Sequence, residues 1–130
     1  MIVGTGIDVT EVHRIGESIA RFGNRFLDRI YTANEQAYCQ QKRRSSMESF
    51  AARFAAKEAC AKALGTGISR GVSWLEIEVV RAAGERPELR LHGRAAVWAD
   101  RIGATRLSLS LTHTRQIAVA SVVAERAEQS

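Results

Sequence analysis

The sequence predicts an α+β domain, an antiparallel sheet built around a long central helix. Three observations carry this prediction. The run from Ser46 to Leu64 is rich in alanine and holds neither glycine nor proline, the composition of a strong helix. Leu75–Arg81, Glu88–His92 and Arg106–Thr112 alternate apolar and polar residues, the period of a strand with one covered face. The turns between them, Gly84–Pro87 and His113–Gln116, are short enough to make hairpins, which join antiparallel strands.

The first element, Ile2 to Val9, is apolar and β-branched with glycines at 4 and 6, and reads as a buried strand. Thr10 offers a helix N-cap, with Glu11 in the first turn where the helix dipole favours an anion. Val12, Ile15, Ile19 and Phe22 then repeat at helical spacing, with Arg14, Arg21 and Arg25 as one stripe on the opposite side. Thr32–Glu35 and Ser45–Glu48 both have the capping-box pattern. The first opens a helix of roughly ten residues. The second opens the long helix, which Gly65 stops. A glycine-rich stretch, Gly65–Gly71, follows, then the first hairpin. Gly93 and Gly103 bracket a short helix carrying Val97, Trp98 and Ile102. The second hairpin pairs Arg106–Thr112 with Ile117–Val123.

The 130 residues form one domain, 1–130, with no linker and no repeat. The apolar share of 45% and charged share of 25% are those of a soluble globular protein. No apolar stretch approaches the ~20 residues of a membrane span. The first eight residues lack the pattern of a secretion signal, and a cytoplasmic protein is expected. Cys39 and Cys60 have no C-x-x-C spacing, against a zinc site or redox pair. The net charge is +5, and sixteen of the nineteen basic residues are Arg, which suits phosphate and carboxylate partners. The excess is local: Lys42, Arg43, Arg44, Arg53, Lys57 and Lys62 face only Glu48 and Glu58 across residues 42–62.

Asp8 has two readings: a cap or solvated turn residue, or a carboxylate at a strand end placed to hold a metal. In the long helix, setting Phe50 at zero puts Glu58 near ~80° and Lys62 near ~120° at 100° per residue. Glu58 thus leaves the flank of the apolar face, where a carboxylate needs a partner or a cation. The plainer alternative is an exposed Glu58–Lys62 pair at i,i+4. Lys57, near ~340°, either snorkels from the apolar face or joins Arg53 and Lys62 around a phosphate; a simply solvated basic face is the other reading. Asp8 and Glu58 would supply two hard oxygen ligands for Mg²⁺ if the fold joins them. His113 sits at a hairpin turn among Ser110, Thr112 and Thr114, as a structural residue or a phosphate contact. The glycines are not a phosphate-binding Walker loop, and no Ser-His-Asp or Cys-His arrangement is present.

Three blocks carry a resemblance: Gly6–Arg14 (GIDVTEVHR), Phe50–Gly67 (FAARFAAKEACAKALGTG) and Ser110–Thr114 (SLTHT). In order and spacing they resemble the small bacterial holo-acyl-carrier-protein synthases of the 4'-phosphopantetheinyl transferase superfamily. The resemblance implies that family's α+β fold, a trimer with sites between subunits, and a place in fatty-acid and lipid metabolism. It implies an enzyme that moves phosphopantetheine from coenzyme A to a serine of an apo-acyl carrier protein, releasing adenosine 3',5'-bisphosphate. Asp8, Glu58 and Lys62 would be the catalytic residues, with Asp8 and Glu58 holding Mg²⁺ and Lys62 on the pyrophosphate. Arg53, Lys57, Gly65, His113 and Thr114 would contact the coenzyme, and Arg14, Arg21 and Arg25 the acidic carrier helix. Neither nucleic acid nor a membrane is an implied partner. The competing class, a basic nucleic-acid-binding α+β domain, would account for the arginine content but lacks aromatic platforms, at 6% aromatic residues. A structural subunit without a site leaves Glu58 beside an apolar face unexplained.

Overall fold

Glycine and alanine decide how closely the long helix lies on the sheet. The computed structural model describes residues 1–128. Helix α4 (Ser46–Leu64) crosses a three-stranded antiparallel sheet made of β1 (Ile2–Glu11), β5 (Ile117–Glu125) and β4 (Arg106–His113), in the order β1-β5-β4. Gly4 and Gly6 face the helix, and a Cβ on either would overlap the carbonyl oxygens of Ala63 and Ala59. On β5, Ala118, Ala120, Val122 and Ala124 are buried beneath the same helix. Small residues on both sides let helix and sheet pack backbone to backbone.

The remaining elements wrap this pair. Helices α1 (Val12–Phe22), α2 (Asn24–Ile30) and α3 (Ala33–Gln41) precede α4. Val12, Ile15, Leu27, Ile30, Tyr31 and Phe50 form one end of the core. A separate hairpin of β2 (Ile77–Val80) and β3 (Glu88–Leu91) packs by α3 and α4, and α5 (Gly93–Ile102) closes the other end of the core with Ala95 and Ala99. Among the described residues no helix is long and apolar enough to cross a membrane. Both cysteines are free and buried, and burial pushes the Cys60 thiol up to about 12, so neither is an activated nucleophile.

The α+β class and the long helix stand as expected, but several local expectations do not. The β1 strand is not buried on both faces: Ile7 and Val9 are 62% and 60% exposed. Thr10 is a strand residue; α1 starts at Val12, and Glu11 precedes it without a side-chain cap bond. Gly23, at φ 56, ends α1, so Arg25 belongs to α2 and the single arginine stripe is broken. The Thr32–Glu35 capping box forms. The Ser45–Glu48 box does not, because Arg43–Ser45 is a 3₁₀ turn and the Ser45 hydroxyl bonds back to Lys42 O. The two hairpins make two sheets, not one. Glu78, expected on the wet face of its strand, is buried, accepting from Thr32 Oγ1 at 2.7 Å with His92 Nε2 at 3.0 Å. Twelve of the nineteen α4 residues are buried, so this helix has no single apolar face.

The close seam yields a direct test. Gly6→Ala forces β1 away from α4 and should cost about 1–3 kcal/mol or more of stability, measured by urea unfolding. An unchanged midpoint would show that the two backbones are not in contact.

Candidate active site

The glycine seam delivers the site. Gly4, Gly6 and Asp8 share one face of β1, as period-two alternation requires. Past the two glycines, Asp8 is the first residue of that face with a side chain, and it emerges beside α4. Lys62 Nζ lies 3.2 Å from Asp8 Oδ1 and donates to Ile7 O at 2.9 Å. Thr10 Oγ1, next on the same face, donates to Asp8 Oδ2 at 2.9 Å. The aspartate is largely covered and Lys62 is half exposed, with side-chain exposures of 17% and 50%. Glu58 lies one helical turn before Lys62. Burial raises its carboxyl above the ordinary range, the neighbouring Asp8 charge raises it further, and Lys62 offsets part of the rise. The structure therefore joins Asp8, Glu58 and Lys62, three of the residues the sequence singled out. Lys62 pairs with Asp8 across the seam, and no Glu58–Lys62 ion pair forms.

This donor set fits a divalent cation. Asp8 raises the affinity of Glu58 for a positive charge, and a lysine ammonium already sits on Asp8. No group of three or more His, Cys, Asp or Glu side chains that could hold a metal occurs among the described residues. Such an ion would take one or two protein carboxylates, with its other positions filled by water and ligand phosphate, the usual mode for Mg²⁺.

The other basic residues of α4 go elsewhere. Arg53 is buried, with its guanidinium carbon 3.9 Å from the centre of the Tyr38 ring and Nη1 donating to Ser49 Oγ at 3.2 Å. It lines a cleft of about 550 Å³ with Tyr38, Arg81, Arg86 and Arg90. Burial alone would raise the Tyr38 hydroxyl, but the Lys42 ammonium and the charges of Arg53 and Arg81 together bring it below its usual value. The Nε of Arg53 is buried with no hydrogen-bond partner among the described residues, and an unpaired buried donor calls for a ligand or water.

Lys57 corrects an expectation. It neither snorkels nor reaches a phosphate: its side chain is completely buried, with Nζ donating to Glu35 Oε1 at 2.7 Å, Trp74 O at 3.0 Å and Ile77 O at 2.6 Å. All three ammonium protons are used inside the protein. Arg53, Lys57 and Lys62 thus point into three different environments and cannot surround one phosphate.

Gly65 ends α4 at φ 81, its N–H bonded to Lys62 O, so it fixes the last turn that carries Lys62. His113 and Thr114 lie at the β4–β5 hairpin, exposed, and hydrogen-bond to none of Asp8, Glu58 and Lys62. Thr114 Oγ1 accepts from the N–H groups of Gln116 and Ile117. Arg14, Arg21 and Arg25 are exposed on α1 and α2. Sequence reading missed Glu35, Tyr38, Arg81, Arg86 and Arg90. The capping box fully explained Glu35, which hid its second role. The clustering of Arg81, Arg86 and Arg90 around one hairpin turn was the available signal for the cleft.

The model of the 4'-phosphopantetheinyl transferase superfamily matches residues 4–120, and the chain belongs to that family. A holo-[acyl-carrier-protein] synthase of Koribacter versatilis is 57% identical over 125 residues, covering 96% of this chain and 99% of the relative. The crystal structure of the holo-[acyl-carrier-protein] synthase of Neisseria meningitidis matches with a TM-score of 0.86 at 38% identity, covering 97% of this chain and all of that one. A holo-(acyl-carrier-protein) synthase of Bacillus anthracis in complex with CoA (3',5'-ADP) matches with a TM-score of 0.79 at 38% identity, covering 98% and 99%.

The mutual effect of the two carboxylates is testable. Asp8→Asn removes a negative charge beside Glu58 and should lower the Glu58 titration midpoint, followed by ¹³C NMR of its carboxyl carbon. A midpoint unmoved by the substitution would show that the two groups do not interact.

Proposed function

We propose that this chain is a holo-[acyl-carrier-protein] synthase, transferring the 4'-phosphopantetheine arm of coenzyme A to a serine of an apo-acyl carrier protein. The convergence of Asp8, Glu58 and Lys62 is the observation that carries this reading. The reaction is a displacement at phosphorus. The serine oxygen forms a bond to the phosphorus bearing the pantetheine, and the bond from that phosphorus to the bridging oxygen breaks, releasing adenosine 3',5'-bisphosphate. Little covalent chemistry is required of the protein, so positioning and charge neutralisation dominate. Asp8 and Glu58 would hold Mg²⁺, which when bound supplies Lewis-acid neutralisation of the diphosphate. Lys62, anchored on Ile7 O and Asp8, contacts the same diphosphate and offsets charge on the leaving oxygen. The serine must lose its proton as it attacks, and Glu58 is the side chain assigned to accept it.

The nucleotide end of the coenzyme, with its 3'-phosphate, suits the arginine cleft. Arg53 and Glu58 are five positions apart on α4, about 140° around a helix, so cleft and carboxylates open on different sides of one protomer. A site that uses both is completed by a second copy. The exposed apolar face of the sheet, with Ile7, Val9 and Ile117 outward, is the surface another copy covers, in a trimer as the family resemblance implies. His113 and Thr114, exposed at the β4–β5 hairpin, would stand at the same junction. Arg14, Arg21 and Arg25 present charge to an acidic carrier, adding rate and specificity to the encounter. Free, buried thiols suit a reducing, cytoplasmic setting.

Incubation with apo-carrier, coenzyme A and Mg²⁺, followed by mass spectrometry, should show the added arm; a carrier left unmodified sinks the reading. In that assay Glu58→Gln should lower kcat roughly 10²–10⁴-fold. Arg14→Ala should raise KM for the carrier and leave KM for coenzyme A unchanged.

Shared sites predict complementation. Asp8→Asn chains, defective in turnover, and Arg53→Ala chains, defective in coenzyme binding, should regain activity at low coenzyme A when co-expressed. Mixed oligomers confirmed by mass spectrometry but without activity would show that one chain supplies both halves.

A further inference from the structure

We propose that Lys57 and Glu35 form a buried clamp that positions the walls of the arginine cleft, setting affinity for the coenzyme's nucleotide without touching it. The inference rests on the reading of that cleft given above. Both side chains are completely covered, and every polar atom is used. Glu35 Oε1 accepts from Lys57 Nζ and from Thr32 N, and Glu35 Oε2 accepts from Val79 N at 2.9 Å. Lys57 also donates to Trp74 O and Ile77 O. The pair therefore ties together α3, α4 and the entry into β2, elements far apart in the sequence.

Those same three elements are walls of the cleft. Three positions after Glu35, on the same side of α3, Tyr38 stacks on Arg53. Four positions before Lys57, on the same side of α4, stands Arg53. Two positions after Val79, along the chain leaving β2, Arg81 enters the lining. Each anchor of the clamp is one helical turn or one strand period from a cleft residue, the spacings at which side chains share a face.

The Arg53 guanidinium depends on this arrangement. It has one hydrogen bond, to Ser49, and a ring beneath it, while its Nε is unpartnered among the described residues. Packing holds it more than bonding does, so its position follows the separation of α3 and α4. A buried ion pair is a poor device for stability alone, because apolar residues of similar volume often serve as well. It is a good device for fixing register, since each donor admits only one arrangement of acceptors.

The test compares Lys57→Met/Glu35→Leu, which removes both charges together, with wild type. Glu35→Gln, which keeps the shape of the anchor, is the second variant should the double variant fail to fold. Circular dichroism and thermal melting establish folding, and calorimetric titration with adenosine 3',5'-bisphosphate reads the cleft directly. In the folded variant KM for coenzyme A and Kd for the bisphosphate should rise about tenfold together, with kcat at saturation and KM for the carrier unchanged. Unaltered nucleotide affinity in a folded variant overturns the clamp. A fall in kcat at constant KM for coenzyme A also overturns it, because Lys57 would then act at the reacting phosphate. Wild-type protein that binds the bisphosphate but modifies no carrier refutes the transferase reading and leaves the clamp to be judged by titration alone.

Discussion

The site depends on one contact, the meeting of the β1 backbone with α4 at Gly4 and Gly6. Side chains normally stand between a helix and a sheet and keep the two backbones apart. Here the glycines have nothing to interpose, and Ala59 and Ala63 add only methyl groups. The approach lets an aspartate, the shortest carboxylate, reach functional groups on a neighbouring element. It also explains the alanine content of α4, because a helix pressed on a sheet at this distance has no room for larger side chains. Alanine serves helix formation and packing at once.

Arg53, Lys57 and Lys62 illustrate how neighbours, not residue type, decide what a cation does. All three lie on α4, within nine positions. Lys62 projects at the solvent edge and stays half exposed against Asp8. Lys57, turned to the interior, meets a carboxylate and two carbonyls. Burial lowers its affinity for a proton more than Glu35 restores it. Three acceptors within hydrogen-bonding distance are the environment of an ammonium, not of an amine. Arg53 packs its planar guanidinium against a tyrosine ring and donates to Ser49. An arginine at 57 could not place its planar fork on three acceptors arranged around a point.

Much of this was legible in the sequence. The long helix, its Gly65 stop and both hairpins follow from period and composition, which are local properties. The pairing of Asp8 with Glu58 and Lys62 was legible only in part: the strand and helix were evident, and the glycines hinted at close passage, but no local pattern says which residues meet. Lys57 was misread because the helical wheel assumes one wet face, and α4 is buried nearly all round. Glu78 was misread for a related reason. Alternation placed it in solvent, yet Thr32 and His92 give it partners under the covering elements. Burial alone would raise its carboxyl, but those two hydrogen bonds and the nearby His92 and Arg90 charges bring it below the ordinary range. Long-range partners are invisible to periodicity, and polar residues with such partners are where it fails.

Charge counting joins the two halves of the site on the proposed reading. Two carboxylates and one ammonium leave the Asp8–Glu58–Lys62 cluster with one net negative charge. A diphosphate approaching it would be repelled, and a second lysine would only balance the protein's own charge. A divalent cation held by the two carboxylates reverses the sign, which one more ammonium could not do. The arginine cleft needs no such help, because its guanidiniums outnumber the two glutamates at its rim, Glu85 and Glu88. One end of the ligand is therefore held by the protein's fixed charges and the other only with an ion present. Nucleotide affinity and reactivity at the phosphorus are set by different groups, so cleft substitutions change binding while those at the carboxylates change turnover.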